Sequence, residues 1–330
     1  MSKRQHHIPP LVSGGLMLSY RCTNRCRHCL YRCSPEQPDD WMTLEMAEGV
    51  FRALKNEPVR SIHLAGGEPT MREDLLVDII RLGISMDIPI EYVETNGAWC
   101  SDDEKAIEGM TRFREAGLPA ILVSVSMFHN EFIPYRRTKT CLRAARKIFG
   151  PNVIVWLREM ETLLDRLPND GKHTLEEFAE LTGLSETPEI IPRLYHVVPG
   201  GRAVNGLRQC YDSRPAAAFR GQICAGELMS TQHFHIDPYG NLFTGLCAGI
   251  APANVWALHP KVTPKDTPVF HILCEEGPCG LLDLAEKCVG FSQREDGYVS
   301  KCDLCLDARG ALQETGKYEE LRPENFYRIS

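Results

Sequence analysis

Three cysteines, Cys22, Cys26 and Cys29, fall within one short loop as C-x3-C-x2-C. Thiolates are soft ligands suited to iron–sulfur clusters or zinc. Three in one loop can hold three irons of a cubane and leave the fourth iron open. A structural zinc would want a fourth protein ligand, which His28 or Cys33 could supply. Spacing alone leaves both possibilities standing. A second group lies far along the chain: Cys224, Cys247, Cys302 and Cys305. Four such ligands suffice for one fully ligated 4Fe–4S cluster. A zinc ribbon would use the same four. Cys210, Cys274, Cys279 and Cys288 are spare candidates, while Cys33, Cys100 and Cys141 are read as structural.

The composition frames this chemistry. The chain has 330 residues and 14 cysteines, with a formal charge of −7 and 43% hydrophobic residues. A disulfide scaffold is usually smaller, secreted and denser in cysteine. The basic, polar start from Met1 to Pro10 has no apolar stretch behind it, which argues against a secretory signal. A cytoplasmic location is therefore expected, where thiols stay reduced and clustered cysteines serve as metal ligands. No apolar run reaches the ~18 residues of a membrane span. The acidic balance argues against non-specific nucleic-acid binding.

Alternating patterns must position the cysteines. Strand-like runs cover Leu16–Tyr20, Ser61–Ala65, Ile90–Glu94, Ala120–Ser126, Asn152–Leu157 and Glu189–Val198, the last weakened by Pro192. Helical periodicity covers Thr43–Lys55, Asp74–Gly83, Asp102–Ala116, Thr138–Phe149 and His173–Leu181. On the first helix Leu44, Val50, Phe51 and Leu54 form the expected apolar face. The alternation predicts an α/β fold, a partial (β/α)6 TIM-like barrel over 14–200, with its chemistry at the C-terminal strand ends. An N-terminal arm, 1–13, precedes it. Beyond Pro199-Gly200-Gly201 the alternation fades, and 201–330 is expected to form a smaller cysteine-rich domain. That domain contains a hairpin, His233–Ile236 and Leu242–Thr244, around Asp237-Pro238-Tyr239-Gly240-Asn241.

The loop Cys22-Thr23-Asn24-Arg25-Cys26-Arg27-His28-Cys29 resembles the cluster loop of the radical S-adenosylmethionine (radical SAM) superfamily. His28 fills the position before the third cysteine, usually aromatic in that superfamily. Gly66-Gly67-Glu68-Pro69 resembles its GGEP loop, and Glu94-Thr95-Asn96-Gly97 a variant found after the third strand. The resemblance implies that Cys22, Cys26 and Cys29 bind a 4Fe–4S cluster whose open iron chelates S-adenosylmethionine. It implies that the Gly66–Pro69 backbone holds the amino group of that cofactor, with Glu94 and Asn96 nearby. Glu68 would offer a carboxylate to the ammonium or stabilise its own loop. Ser124 and Ser126 share a strand face where polar residues are unusual; they are candidates for the ribose or carboxylate, or simply satisfied buried hydroxyls. Arg158, past the fifth strand, is a candidate for the cofactor carboxylate. His129, with Phe128 and Tyr135, is placed at the cavity as a proton donor or acceptor or as a supporting hydrogen-bond partner. Arg202 is expected in a salt bridge.

Cys224, the hairpin, Cys247 and Cys302-x2-Cys305 resemble the auxiliary-cluster extensions called SPASM or twitch domains. That resemblance implies a second 4Fe–4S cluster and a peptide or protein substrate, modified as by a maturase. A small-molecule substrate, dehydrogenated for instance, is the alternative. A zinc-stabilised binding protein without redox chemistry is the reading from another class. A radical enzyme also implies a reducing partner such as flavodoxin or ferredoxin. Because only about 14 residues precede the first strand, a separate peptide-recognition protein is a further expected partner.

Overall fold

The computed structural model describes residues 6–329, so residues 1–5 of the expected N-terminal arm lie outside it. Among the described residues ten strands occur in chain order: β1 (His6–His7), β2 (Ser13–Met17), β3 (Ser61–Ala65), β4 (Ile90–Thr95), β5 (Ala120–Ser124), β6 (Val153–Trp156), β7 (Phe234–Ile236), β8 (Asn241–Phe243), β9 (Ala253–Asn254) and β10 (Lys261–Val262). Eight of them form one sheet in the order β6-β5-β4-β3-β2-β7-β8-β9. The first six in that order run parallel, β8 pairs antiparallel with β7, and β9 pairs antiparallel with β8. This mixed α/β sheet with its helices is the partial barrel expected. The short strands β1 and β10 pair separately.

The helices follow from local rules. Helix α1 (Leu44–Leu54) starts where Thr43 Oγ1 accepts the Met46 amide at 3.1 Å. It buries Ala47, Val50, Phe51 and Leu54, whereas Leu44 is exposed, contrary to expectation. Helices α2 (Glu73–Ser85) and α3 (Asp103–Glu115) bury one apolar stripe each, α3 being capped by Asp102. A one-turn helix, α4 (Met127–Asn130), and the longer α5 (Tyr135–Phe149) follow β5. One continuous core joins β2–β6 and these helices to Phe234, Ile236 and Leu242 of the C-terminal segment.

Other expectations fail as well, among them the first strand, which lies at Ser13–Met17 rather than Leu16–Tyr20. Glu189–Val198 is not a strand; it contains a short helix over Ile190–Leu194. Proline in a first helical turn costs no hydrogen bond, so Pro192 signals a helix start there. The sixth parallel strand is β7, which adds beside β2 rather than beyond β6. The hairpin expected inside an appended domain therefore extends the barrel sheet. Its turn is fixed by Asp237, whose buried carboxylate accepts from Tyr239 N, Asn241 N, Asn241 Nδ2 and Tyr20 Oη. Beyond β10 the chain is helical, over Pro268–Glu275, Gly277–Val289 and Lys301–Gln313. Among the described residues no helix is long and apolar enough to cross a membrane.

Candidate active site

The C-terminal ends of β2 to β5 open into a cavity of about 400 Å³. Cys22, Cys26 and Cys29 line one wall of it, with His28 and Cys33. The loop folds back on itself: Cys29 N donates to Cys26 O at 3.1 Å, and Cys22 N to Ser34 O at 3.1 Å. Amides surround the sulfurs. Asn24 N reaches Cys22 Sγ at 3.4 Å, Asn24 Nδ2 reaches Cys26 Sγ at 3.8 Å, and Asn96 Nδ2 reaches Cys22 Sγ at 3.7 Å. Hydrogen bonds to ligand sulfurs tune an iron–sulfur potential. Burial pushes the Cys22 thiol up to about 12 and raises Cys26 as well. Cys29 shifts down, through a hydrogen bond from the Cys33 thiol and then through Arg202. Cys33, read as structural, is thus part of this wall, and Gly67 N donates to its sulfur at 3.3 Å.

Among the described residues Arg202 makes no salt bridge. Its guanidinium donates to the carbonyls of Cys26 at 3.0 Å and Cys33 at 3.1 Å, while its amide donates to Cys29 O at 3.0 Å. A residue far along the chain thereby holds the loop from Cys26 to Cys33. That contact is tertiary, and no local pattern announces it.

The Gly66–Pro69 loop lies against the cysteine loop. Gly67 has φ +55°, and a Cβ there would sit 1.9 Å from the carbonyl oxygen of Arg21. Gly67→Ala combines that clash with a left-handed backbone and is expected to cost about 2–4 kcal/mol. A lowered denaturation midpoint of the reconstituted protein checks this; an unchanged midpoint would show that the loop relaxes freely. Glu68 is 1% exposed and spends its carboxylate internally. It accepts from Thr70 N, Thr70 Oγ1 and Thr95 Oγ1 on one oxygen and from Asn96 N at 2.7 Å on the other. The alternative in which Glu68 stabilises its own loop matches these contacts. Pro69 opens a 3-10 turn and does not line the cavity.

The remaining expected residues divide. Glu94, Asn96, Ser124 and His129 line the cavity. Ser126 does not; it caps α4, accepting the His129 amide at 3.2 Å and meeting His129 Nδ1 at 2.6 Å. Of its two possible roles, the satisfied hydroxyl is the one observed. Burial lowers His129 to about 4, which keeps the imidazole neutral near pH 7. His28 stacks on Phe128 at 4.8 Å, with Tyr195 and His129 against its edges. Tyr135 turns away, donating to Glu161 O at 3.2 Å. Arg158 is exposed at the start of a helix, away from the cavity wall, where Trp156 stands instead.

Several lining residues went unread in the sequence: Tyr31, His63, Tyr92, Tyr195, His196, His233 and His235. The His-Phe-His alternation of 233–235 was a visible signal, since strand residues two apart share a face. His63 stood alone inside an apolar run and gave none.

Cys224, Cys247, Cys302 and Cys305 converge on a second, small cavity of about 40 Å³. Lys301 and Arg309 also line it; burial raises the Cys305 thiol, and the Arg309 guanidinium offsets part of that rise. Leu30, next to the first cysteine loop, forms part of both cavities. The spare Cys279 donates to Ala216 O at 3.3 Å in a separate apolar cluster.

A family profile described as the radical SAM superfamily matches residues 16–180. A probable GTP 3′,8-cyclase of Methanothermobacter marburgensis is 31% identical over 124 residues, covering 38% of each chain. A 7,8-didemethyl-8-hydroxy-5-deazariboflavin synthase of Nostoc sp. is 44% identical over 50 residues, 15% of this chain and 14% of that protein. The chain thus spans well under half the length of the curated relatives it matches. Among solved structures, native anSMEcpe with bound AdoMet and Cp18Cys peptide aligns over 97% of this chain and 94% of its own, at 14% identity and TM-score 0.44.

Proposed function

The chain belongs to the radical SAM superfamily, whose profile covers half of it, and from that membership we propose that Cys22, Cys26 and Cys29 hold the 4Fe–4S cluster that binds S-adenosylmethionine. The observation that carries this reading is the convergence of three thiols, the Gly66–Glu68 loop and Asn96 on one cavity. The donor set fits: three sulfurs leave one iron open, and amide donors surround the sulfurs. When bound, the cluster supplies the electron that cleaves S-adenosylmethionine to a 5′-deoxyadenosyl radical, which abstracts hydrogen from a substrate. The chain's own task is to hold and shield. Arg202 fixes the cysteine loop, Glu68 ties the glycine loop to Thr95 and Asn96, and Asn96 and Ser124 present polar groups to the cavity. The neutral His129, oriented by Ser126, is the candidate for handling a proton.

Residues 201–330 are proposed as a SPASM/twitch-like unit in which Cys224, Cys247, Cys302 and Cys305 hold an auxiliary 4Fe–4S cluster. That extension favours a peptide or protein residue as substrate, with the work of a maturase done in the cytoplasm. A flavodoxin or ferredoxin would supply electrons, and a separate protein could present the peptide. Modification of a small molecule is the second reading, favoured by the curated relatives, whose names are those of enzymes making small molecules.

Anaerobically purified protein should carry about eight irons and matching sulfide per chain. Cys302→Ala should lower this to about four while 5′-deoxyadenosine is still released, and product formation should be lost. Zinc in place of iron, with no sulfide, would overturn the reading.

A further inference from the structure

Three histidines, His63, His233 and His235, meet on the wall of the same cavity. They come from two strands that flank β2. In the sheet register, Gly15 of β2 pairs with His63 of β3 on one side and His235 of β7 on the other. Both imidazoles lean over the glycine between them. A Cβ on Gly15 would lie 2.2 Å from His63 Nε2, so the missing side chain is what lets the rings meet. Their Nε2 atoms stand 3.2 Å apart. His233, two residues before His235, completes the group from the solvent edge, and ligand atoms of all three lie within 4.8 Å of one another.

We infer that His63, His233 and His235 form a mononuclear site for a divalent zinc-class cation whose open position faces the cavity and takes an oxygen donor of the substrate. This rests on the cavity being the substrate chamber. Zinc–imidazole bonds of ~2.0 Å in a tetrahedron separate adjacent nitrogens by about 3.3 Å, close to the His63–His235 spacing. Neutral imidazoles suit zinc, and three with an open position make the catalytic rather than the structural type of site. The outer contacts are those such ligands require. Tyr31 Oη engages His235 Nδ1 at 2.9 Å, leaving Nε2 directed at the group. Tyr92 stacks on His63 at 5.3 Å and holds the plane of its ring. Glu94 Oε1 lies 3.8 Å from His63 Nε2, a carboxylate that offsets the charge of a dication. A cation here would polarise a substrate carbonyl or hydroxyl and hold it in the chamber lined by the three cysteines.

The test uses the whole chain with its iron–sulfur clusters reconstituted, stripped of other metals by dialysis against chelator. Zn2+ is then titrated and bound metal counted, with Co2+ as the spectroscopic probe. The expected result is about one Zn2+ per chain beyond the iron, and a four-coordinate Co2+ spectrum without thiolate charge-transfer bands. His233→Ala, at the exposed edge, should abolish that equivalent, and His235→Gln should do the same. Tyr31→Phe should weaken binding by ~10-fold or more while keeping the stoichiometry. Equal binding in wild type and both histidine variants, or no bound Zn2+ at all, would overturn the site. Iron and sulfide content is read on the same samples. An iron-loaded protein that takes no Zn2+ sinks this site alone, whereas absence of iron and sulfide sinks the functional reading.

Discussion

Release of 5′-deoxyadenosine should fall to background in Cys26→Ala. The residue is 6% exposed and sits between Cys22 and Cys29 on the cavity wall. Two thiolates cannot hold a cubane in place of three; of the neighbouring candidates, His28 is stacked against Phe128 and the Cys33 thiol is engaged with Cys29. Burial raises the Cys22 and Cys26 thiols, so these thiolates form only against the charge of bound metal. Losing one ligand therefore removes the cluster rather than weakening it. Iron per chain should drop by about four. Cys26→Ser, which keeps the size and the loop contacts, should behave alike. Cys100→Ala is the control, since Cys100 packs beside Cys141 in the core, away from the cavity. Cleavage in Cys26→Ala at the wild-type rate would remove this loop from the chemistry.

Glu68→Ala should lower stability by about 3–5 kcal/mol and with it the affinity for S-adenosylmethionine. One carboxylate satisfies four donors from two loops. Without it, the Thr70 and Asn96 amides remain buried and unpaired. Asn96 would lose the anchor of its backbone while its side chain still spans to Thr23 at 3.0 Å. Glu68→Gln should cost less, because an amide oxygen can still meet Asn96 N while the threonine hydroxyls rotate to accept. Denaturation midpoints of the three proteins, and isothermal titration with S-adenosylmethionine, check the order wild type, Gln, Ala. Equal stability of wild type and Glu68→Ala would show that the loops do not depend on this carboxylate.

Local patterns carried a large part of the architecture. Strand β3 has the boundaries read from its apolar run, and α1 and α3 begin at their capping residues, because these features depend on neighbours in sequence. Strand β2 lies earlier than expected, at Ser13–Met17 instead of Leu16–Tyr20. Gly14 and Gly15 hid it, since glycine lacks the side chain that marks a strand. The same absence makes room for His63. Glu189–Val198 reads as a strand in the sequence because a short apolar run with one proline suits either a strand or a first helical turn.

The sequence by itself identified the family and singled out the candidate segments. Cysteine spacing and the Gly66–Pro69 and Glu94–Gly97 segments are local, and each sits at the end of a recognisable strand. Tertiary structure alone decided which distant groups meet. Arg202 reaches the cysteine loop, Glu68 joins two loops, β7 closes on β2, and His63 meets His235 across Gly15. Those outcomes depend on sheet order and register, which place residues some 170 positions apart in contact. No periodicity within a single segment encodes such pairings. The fourteen cysteines show the same division: their spacing grouped them, and the fold decided that Cys33 stands with the first group.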